Sequence, residues 1–443
     1  MAGPRVTDTD RRLTAIEVAG FKSAIEPVRV NFRDITILAG ANSTGKSAIM
    51  QPLLLIKQTM EKQFDPGGLA IDGPLTKFTH ADQFFSYVKS KAANPTFYVT
   101  MIQGSSWVRI RYGRSNEGGL EVNKMTFNEK GEELSWVNNQ ILKTAEGTFS
   151  NAFGALSHSR RNFENSFQGL EVRVSRDRAI LAATPIESGK PLGWLTIASP
   201  ATTAVNQIRD MIYLPGLRGN PERNYFISSA GPQYPGSFND YVASIIHRWE
   251  TTKDDRLKSL GDNLNLLGLT KRVTTEAIDD TRVEVHVGRL PVAARGGTRD
   301  TVNIADVGFG VSQILPVLVA LLAATENQIV FVEQPELHLH PRAQVALADI
   351  IIQSAQQGVR LVIETHSSLL ILALQAAIAE ERITSDRLSL NWFTRDAIGQ
   401  THVTEAQIRE DGSYGDWPED FGTIELDLQD RYMTLVERRH ARG

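Results

Sequence analysis

Apolar and polar positions alternate over Leu13–Val18 and again over Val28–Phe32, whereas Ile35–Ala39 is apolar almost throughout. The alternation predicts two half-buried strands, and the unbroken run predicts a central strand covered on both faces. Residues 48–61 repeat apolar side chains at helical spacing, with Pro52 early enough to be tolerated. Pro66, Gly67 and Gly68 break the pattern, and Ile71–Pro74 reads as a turn. Between residues 95 and 200 the period becomes two again. Thr96–Ile102, Trp107–Tyr112, Leu170–Val174 and Ala179–Ala183 are short segments separated by turn residues. They predict antiparallel hairpins, with a helical piece near 137–165. Helical spacing covers Phe238–Leu267, and a strand is expected at 281–287.

From Val302 strands and helices alternate. A helix is expected over 311–325, a buried strand at Ile329–Val332, and a helix opening at Pro341 and running to about Gln357. A strand at Leu361–Glu364, another helix and a strand at 388–394 follow. The pattern predicts an α/β fold, a mixed sheet with flanking helices. Its first part spans residues 1–80 and its second 301–400, interrupted by an α+β inserted lobe over 81–300 and followed by a tail over 401–443. No internal repeat or low-complexity segment is visible.

The turn between the central strand and the first helix carries chemistry. Gly40, Ala41, Asn42, Ser43, Thr44, Gly45, Lys46 and Ser47 form a complete phosphate-binding loop, in the strand–loop–helix context that the motif needs. Gly40 and Gly45 let backbone N–H groups turn inward. The helix start, with Ala48 in its first turn, points its positive dipole end at the same anion. Lys46 is expected to reach the β- and γ-phosphates, and the Ser47 hydroxyl to sit on Mg²⁺.

Three later segments add polar groups to apolar elements. Gln328–Glu333 is a strand ending in an acid, and Glu333 is expected to hold Mg²⁺ or its water shell across from Ser47. Asp306–Gln313 opens a helix, with Gly310 permitting close backbone approach and the Ser312 hydroxyl able to meet a phosphate. Leu361–Ser368 is a strand followed by a polar cluster, whose His366 is a candidate γ-phosphate sensor. His338 and His340 suggest a metal, but no cysteine or third histidine stands at ligand spacing, so a structural turn is the expected reading.

Composition narrows the classes. At 443 residues the chain has room for two or three lobes. A net charge of −4 leaves no global basic field for nucleic acid, although Arg160, Arg161, Arg173, Arg176 and Arg178 could form a local patch. The absence of cysteine excludes disulfides and thiolate metal sites. The longest apolar stretch, Ile314–Ala324, is too short to span a bilayer, and the polar N-terminus lacks a signal core. A cytoplasmic location is therefore expected.

Taken together and in this order, the motifs resemble the ABC-type ATPase heads of the SMC, RecF and OLD group, most closely its stand-alone OLD-like members. Ile16–Ala24 is similar to that group's opening strand and Phe-Lys-Ser element. Gly40–Ser47 matches its Walker A motif, and Asp306–Gln313 a degenerate signature motif. Ile329–Pro341 is similar to its Walker B region, and Glu364–Ser367 to its switch-histidine motif. Tyr213–Tyr225 and Asp416–Phe421 also look like stretches found in stand-alone bacterial members. The resemblance implies ATP and Mg²⁺ as cofactors. It also implies a homodimer or higher even homo-oligomer in which Lys46 and Ser47 of one copy face Gly310 and Ser312 of another across ATP.

One departure matters. The hydrolytic members carry an acid directly after the Walker B acid, and here that position is Gln334. An amide cannot accept a proton from the attacking water. Either Glu336 acts as base, or hydrolysis is slow, with Gln334 orienting the water and ATP serving as a clamp. Gln83 is a weak candidate for the group's Q-loop contact. Arg218 and Arg223 are candidates either for a neighbouring subunit or phosphate or for ion pairs within the inserted lobe. No glycine-flanked acidic cluster is recognisable after His366, so no nuclease is expected in this chain. By analogy, stand-alone members work with a separate effector, a nuclease or toxin, in antiphage defence. The alternative is a RecF-type ATPase that clamps DNA. A transporter ATPase lacks support because there is no membrane helix, and a small-molecule kinase leaves Asp306–Gln313 and His366 unexplained.

Overall fold

A computed structural model describes residues 12–86, 95–115, 118–129, 131–143, 171–187, 190–191, 199–228, 231, 233–289, 300–415, 428 and 430–436. Strands β1 (Ala15–Ala19) and β2 (Val28–Asn31) form an antiparallel pair. β3 (Ile35–Gly40) runs into helix α1 (Lys46–Met60). Next come β4 (Thr96–Gln103), β5 (Ser106–Arg114), β6 (Leu120–Glu129) and β7 (Glu132–Val137). These lie in one antiparallel sheet with the first pair, in the order β2-β1-β4-β5-β6-β7. A smaller sheet holds β8 (Ile141–Lys143), β9 (Glu171–Asp177), β10 (Ile180–Glu187) and β11 (Lys190–Pro191).

Helix α2 (Thr202–Arg209) leads into β12 (Ile212–Leu214). A third antiparallel sheet is built from β13 (Tyr225–Phe226), β14 (Val273–Ala277), β15 (Arg282–Gly288) and β16 (Thr301–Asn303). Between its first two strands run α3 (Val242–Thr251) and α4 (Asp255–Leu266). The return to α/β order brings α5 (Phe309–Ala323), β17 (Ile329–Glu333), α6 (Pro341–Gln356), β18 (Arg360–Thr365), α7 (Ser368–Ala379), β19 (Leu388–Arg395) and β20 (Thr401–Glu405).

The sheet that organises the site has the order β12-β17-β18-β3-β19-β20. All neighbouring pairs are parallel except the last. Both faces are covered, which explains the apolar strands read from sequence. Ile35, Ile37, Val330, Val332, Leu361 and Ile363 pack on the face covered by α3 to α7. Leu38, Ile329, Phe331 and Val362 pack on the opposite face, with α1 and the antiparallel strands. The period of two therefore sends alternate side chains of each strand into different cores.

Three segments sit differently from the expected division at residues 80, 300 and 400. β4 pairs with β1 from Ala15↔Ile102 to Ala19↔Tyr98, so the hairpins continue the sheet that β1 and β2 begin. β12 joins the edge of the parallel sheet, and β20, in the expected tail, closes its other edge. Periodicity identifies a strand but does not name its partner across a hundred residues. Of the helical piece expected near 137–165, the described part is not helical, since Ile141–Lys143 form β8; residues 144–165 and the Asp416–Phe421 stretch lie outside the described residues.

Candidate nucleotide site

The loop after β3 is shaped by two glycines. Gly40 has φ +143°, and a Cβ there would stand 2.4 Å from the carbonyl oxygen of Phe393 on β19. Gly45 has φ +104°, and a Cβ there would meet the Thr401 hydroxyl at 2.3 Å. Thr401 in turn donates to the carbonyl of Thr44 (2.8 Å), while Thr44 donates to that of Ala41 (2.9 Å). The β19–β20 hairpin thus braces the loop from behind. No side chain caps the start of α1, so its first N–H groups are left for an anion. Lys46 lies under the loop, donating to the carbonyls of Gly40 (3.0 Å) and Ala41 (2.7 Å). Burial pulls its pKa below the ordinary lysine value, with the charge of Glu364 opposing that shift.

A cleft of about 700 Å³ opens over this loop. Asn42, Ser43, Gly45, Lys46, Ser47 and Ala48 line one side, and Gln334, Glu364 and His366 another. Strand order explains the meeting. β18 lies between β3 and β17, so the carboxyl ends of all three strands converge beneath the start of α1. Glu333 and Glu364 are register partners on neighbouring strands. Glu364 accepts a hydrogen bond from the Ser47 hydroxyl, at 3.0 and 2.8 Å to its two oxygens. Glu333 accepts from the Tyr213 hydroxyl (3.0 Å) and from the backbone N–H of Gly216 (3.2 Å).

The two acids share one low-dielectric site, and both are harder to ionise than usual. Burial, then the neighbouring charge of Glu333, pushes Glu364 up to about 7. Burial also raises Glu333. Burial and the nearby Lys46 lower His366, which favours its neutral form. Oxygen donors of this kind suit a small hard cation shared with phosphates, so the residues present fit Mg²⁺ beside a nucleotide.

Gln334 lines the cleft in a left-handed conformation, φ +45°, with its N–H held by the Glu364 carbonyl at 2.7 Å. Glu336 is turned elsewhere. One of its oxygens accepts from the Thr365 hydroxyl (2.7 Å) and the His366 N–H (2.9 Å), and the residue is buried. It therefore supports the His366 backbone from below, and it does not line the cleft.

Residues 35–373 match the protein family described as "AAA domain, putative AbiEii toxin, Type IV TA system". The chain belongs to this AAA-domain family. It is a nucleotide-binding domain of ATPase type. No curated protein matches the sequence. Among solved structures, an SMC head bound to the C-terminal winged-helix domain of ScpA is similar at 12% identity and a TM-score of 0.46, covering 90% of this chain and 98% of that one. The SMC head domain of Thermotoga maritima is similar at 10% identity and a TM-score of 0.38, covering 90% and 100%. A third, the Pyrococcus furiosus Smc head with an extended coiled coil bound to the C-terminal domain of ScpA, gives 11% identity and a TM-score of 0.44, covering 97% and 99%. The family assignment rests on the sequence match.

The other flank of the AAA domain lies outside this cleft. Gly310 and Ser312 are in the first turns of α5, and neither lines it. Ser312 is buried and donates to the Phe309 carbonyl at 3.2 Å, while the Phe309 side chain itself is 54% exposed. The ring of His338 lies 5.8 Å from that of Phe309, and His340 caps α6 through the Arg342 N–H. Both histidines thus serve the turn between β17 and α6. Among the described residues no group of three or more histidine and acidic side chains could hold a metal by itself, and no helix is long and apolar enough to cross a membrane.

Arg218 joins the two flanks. It donates to the carbonyls of Gln313 (3.1 Å), Glu333 (2.8 Å) and Gln334 (3.3 Å), while burial lowers its pKa to about 10. Arg223 pairs with Asp306 at 2.7 Å. The side chain of Gln83 caps its own turn, accepting from the N–H groups of Thr79 and His80. Arg176 pairs with Asp65, and Arg178 bonds Asp177 and the Met60 carbonyl. Arg160 and Arg161 lie outside the described residues. Sequence reasoning had no role for Lys22, Gln51 and Arg395, which also line the cleft. Only the Phe-Lys-Ser element gave a signal for the first. Arg395 comes from a hairpin hundreds of residues away from the loop it faces.

Proposed function

We propose that this AAA domain binds ATP with Mg²⁺, hydrolyses it slowly, and uses the bound nucleotide to assemble into a homodimer or a higher even homo-oligomer. The observation that carries slow hydrolysis is Gln334. It occupies the cleft at the position next to the Walker B acid, while Glu336 is engaged by Thr365 and the His366 N–H. An amide there orients water without taking its proton. Bound Mg²⁺ would neutralise charge on the β- and γ-phosphates, with Ser47 and the acids at the strand ends as its protein partners. Lys46 and the N–H groups of α1 hold the phosphates, and His366 contacts the γ-phosphate as a neutral imidazole. Assembly is favoured because Gly310 and Ser312 stand away from their own cleft, as expected if they serve the cleft of a second copy.

In this reading the assembled ATPase scaffolds and restrains a separate effector, a nuclease or toxin, in antiphage defence, in the cytoplasm. The RecF-like alternative needs a free basic surface, and Arg176 and Arg178 are engaged in ion pairs and a carbonyl contact. Solution mass and ATP turnover, measured with and without duplex DNA, separate the two. The expected result is ATP-dependent assembly, slow turnover and no effect of DNA. Lys46→Ala should lose both, with nucleotide affinity falling about 10- to 100-fold. ATP-dependent DNA retention that weakens steeply with salt, together with DNA-accelerated turnover, would establish the clamp instead.

A further inference from the structure

We propose that Glu364, the acid preceding the Thr365–His366 pair, is the carboxylate that meets the nucleotide's Mg²⁺ together with Ser47, and that Glu333 is a positioning residue behind it. This rests on the ATP–Mg²⁺ reading above and deepens it.

Strand order sets which acid lies nearer the phosphate loop. β18 is interposed between the P-loop strand and the acidic strand β17. A residue at the carboxyl end of β18 is therefore one strand from the loop, and Glu333 is two strands away. Register places Glu364 beside Leu38, only two residues before Gly40. The Ser47 hydroxyl is within hydrogen-bond distance of both Glu364 oxygens. Glu364 also lines the cleft, whereas Glu333 does not. Both oxygens of Glu333 are already committed, one to Tyr213 and one to the Gly216 N–H. Gln83, the candidate Q-loop residue, spends its side-chain oxygen on its own turn.

Mg²⁺ is typically held by one or two carboxylates and substrate phosphates rather than by an all-protein cage. A hydroxyl and one facing carboxylate beneath a phosphate loop meet that requirement, and Ser47 with Glu364 is the pair that provides it. Glu333, bonded by Tyr213 and Gly216, fixes the floor against which Glu364 is held.

The test uses Mn²⁺ as the probe, read by electron paramagnetic resonance on the full chain with ADP. Binding of a fluorescent ATP analogue in EDTA is measured in parallel. Glu364→Gln is expected to weaken Mn²⁺ by at least about tenfold, a larger loss than any it causes in metal-free nucleotide binding. Glu333→Gln should weaken Mn²⁺ less than Glu364→Gln does. Ser47→Ala, a second variant that leaves both acids in place, should reproduce the Glu364→Gln loss. The proposal is overturned if Glu364→Gln keeps wild-type Mn²⁺ affinity, or if Glu333→Gln shows the larger loss. Failure of the wild type to bind the ATP analogue at all would sink the ATP reading itself, and this assignment with it.

Discussion

The phosphate flank and the α5 flank of this AAA domain differ in what one copy completes. On the first, Lys46, Ser47, Gln334, Glu364 and His366 converge on one cleft, each from the end of a buried parallel strand, the turn after it or the start of α1. On the second, Gly310 and Ser312 head a helix and do not line that cleft, beside an exposed Phe309. The difference teaches where rigidity has been placed. Strand ends in a doubly covered sheet fix side chains to within the tolerance that phosphate chemistry requires. A helix start at the surface suits a contact made only when a second surface arrives.

The comparison breaks most completely if the α5 flank is blocked. Ser312→Arg puts a long cation at the start of α5, where the side chain is now buried. ATP-driven assembly should disappear, as measured by light scattering. Nucleotide affinity of the single copy should stay within about twofold, because Ser312 does not touch the cleft. Loss of nucleotide affinity in dilute protein would show that the two flanks are not separable.

The link between them is the next largest effect. Among the described residues the Arg218 guanidinium donates to three backbone carbonyls, one on the α5 side and two at the end of β17. Arg218→Ala removes a buried guanidinium from those carbonyls, of which that of Gln334 keeps the Leu337 N–H (3.1 Å), so stability should fall by about 1–3 kcal/mol in denaturant titration. A loss below about 0.5 kcal/mol would mean that water replaces the guanidinium without cost.

How far the sequence could be read follows the same division. The phosphate flank was largely legible because its residues sit in contiguous motifs with strong local pattern, such as Gly40–Ser47 and Ile329–Glu333. What stayed hidden depends on which strands become neighbours. The contact between Ser47 and Glu364 spans more than three hundred residues and exists only because β18 inserts between β3 and β17. The bracing of Gly45 by Thr401 has the same origin. Tyr213 was recognisable within a familiar stretch, but its bond to Glu333 required β12 to join the sheet edge.

A smaller, pH-dependent effect sharpens the account of the acids. Glu364 holds its proton more tightly in the folded chain, at about 7, than its ordinary value of 4.5. Its contribution to stability is therefore present below about 4.5 and lost as pH rises through about 7. In metal-free protein, the stability of the wild type relative to Glu364→Gln should fall over that window, by on the order of 3 kcal/mol. A flat difference between the two proteins from pH 4.5 to 8 would show that Glu364 is ionised throughout.

The smallest effect is expected at Glu336, and it bears on how ATP is used. Glu336 accepts from Thr365 and the His366 N–H, so Glu336→Gln exchanges one acceptor for another of the same length. If hydrolysis proceeds without a carboxylate base, single-turnover rates should change by no more than about threefold, mainly through the placement of His366. A general base behaves differently, since its removal costs about 10²- to 10⁴-fold. A loss of that size would require Glu336 to leave Thr365 and swing into the cleft during turnover. Gln334 would then be a spectator, and slow hydrolysis would need another cause. A small change, with Gln334→Glu raising the rate, places the brake at Gln334, on the phosphate flank.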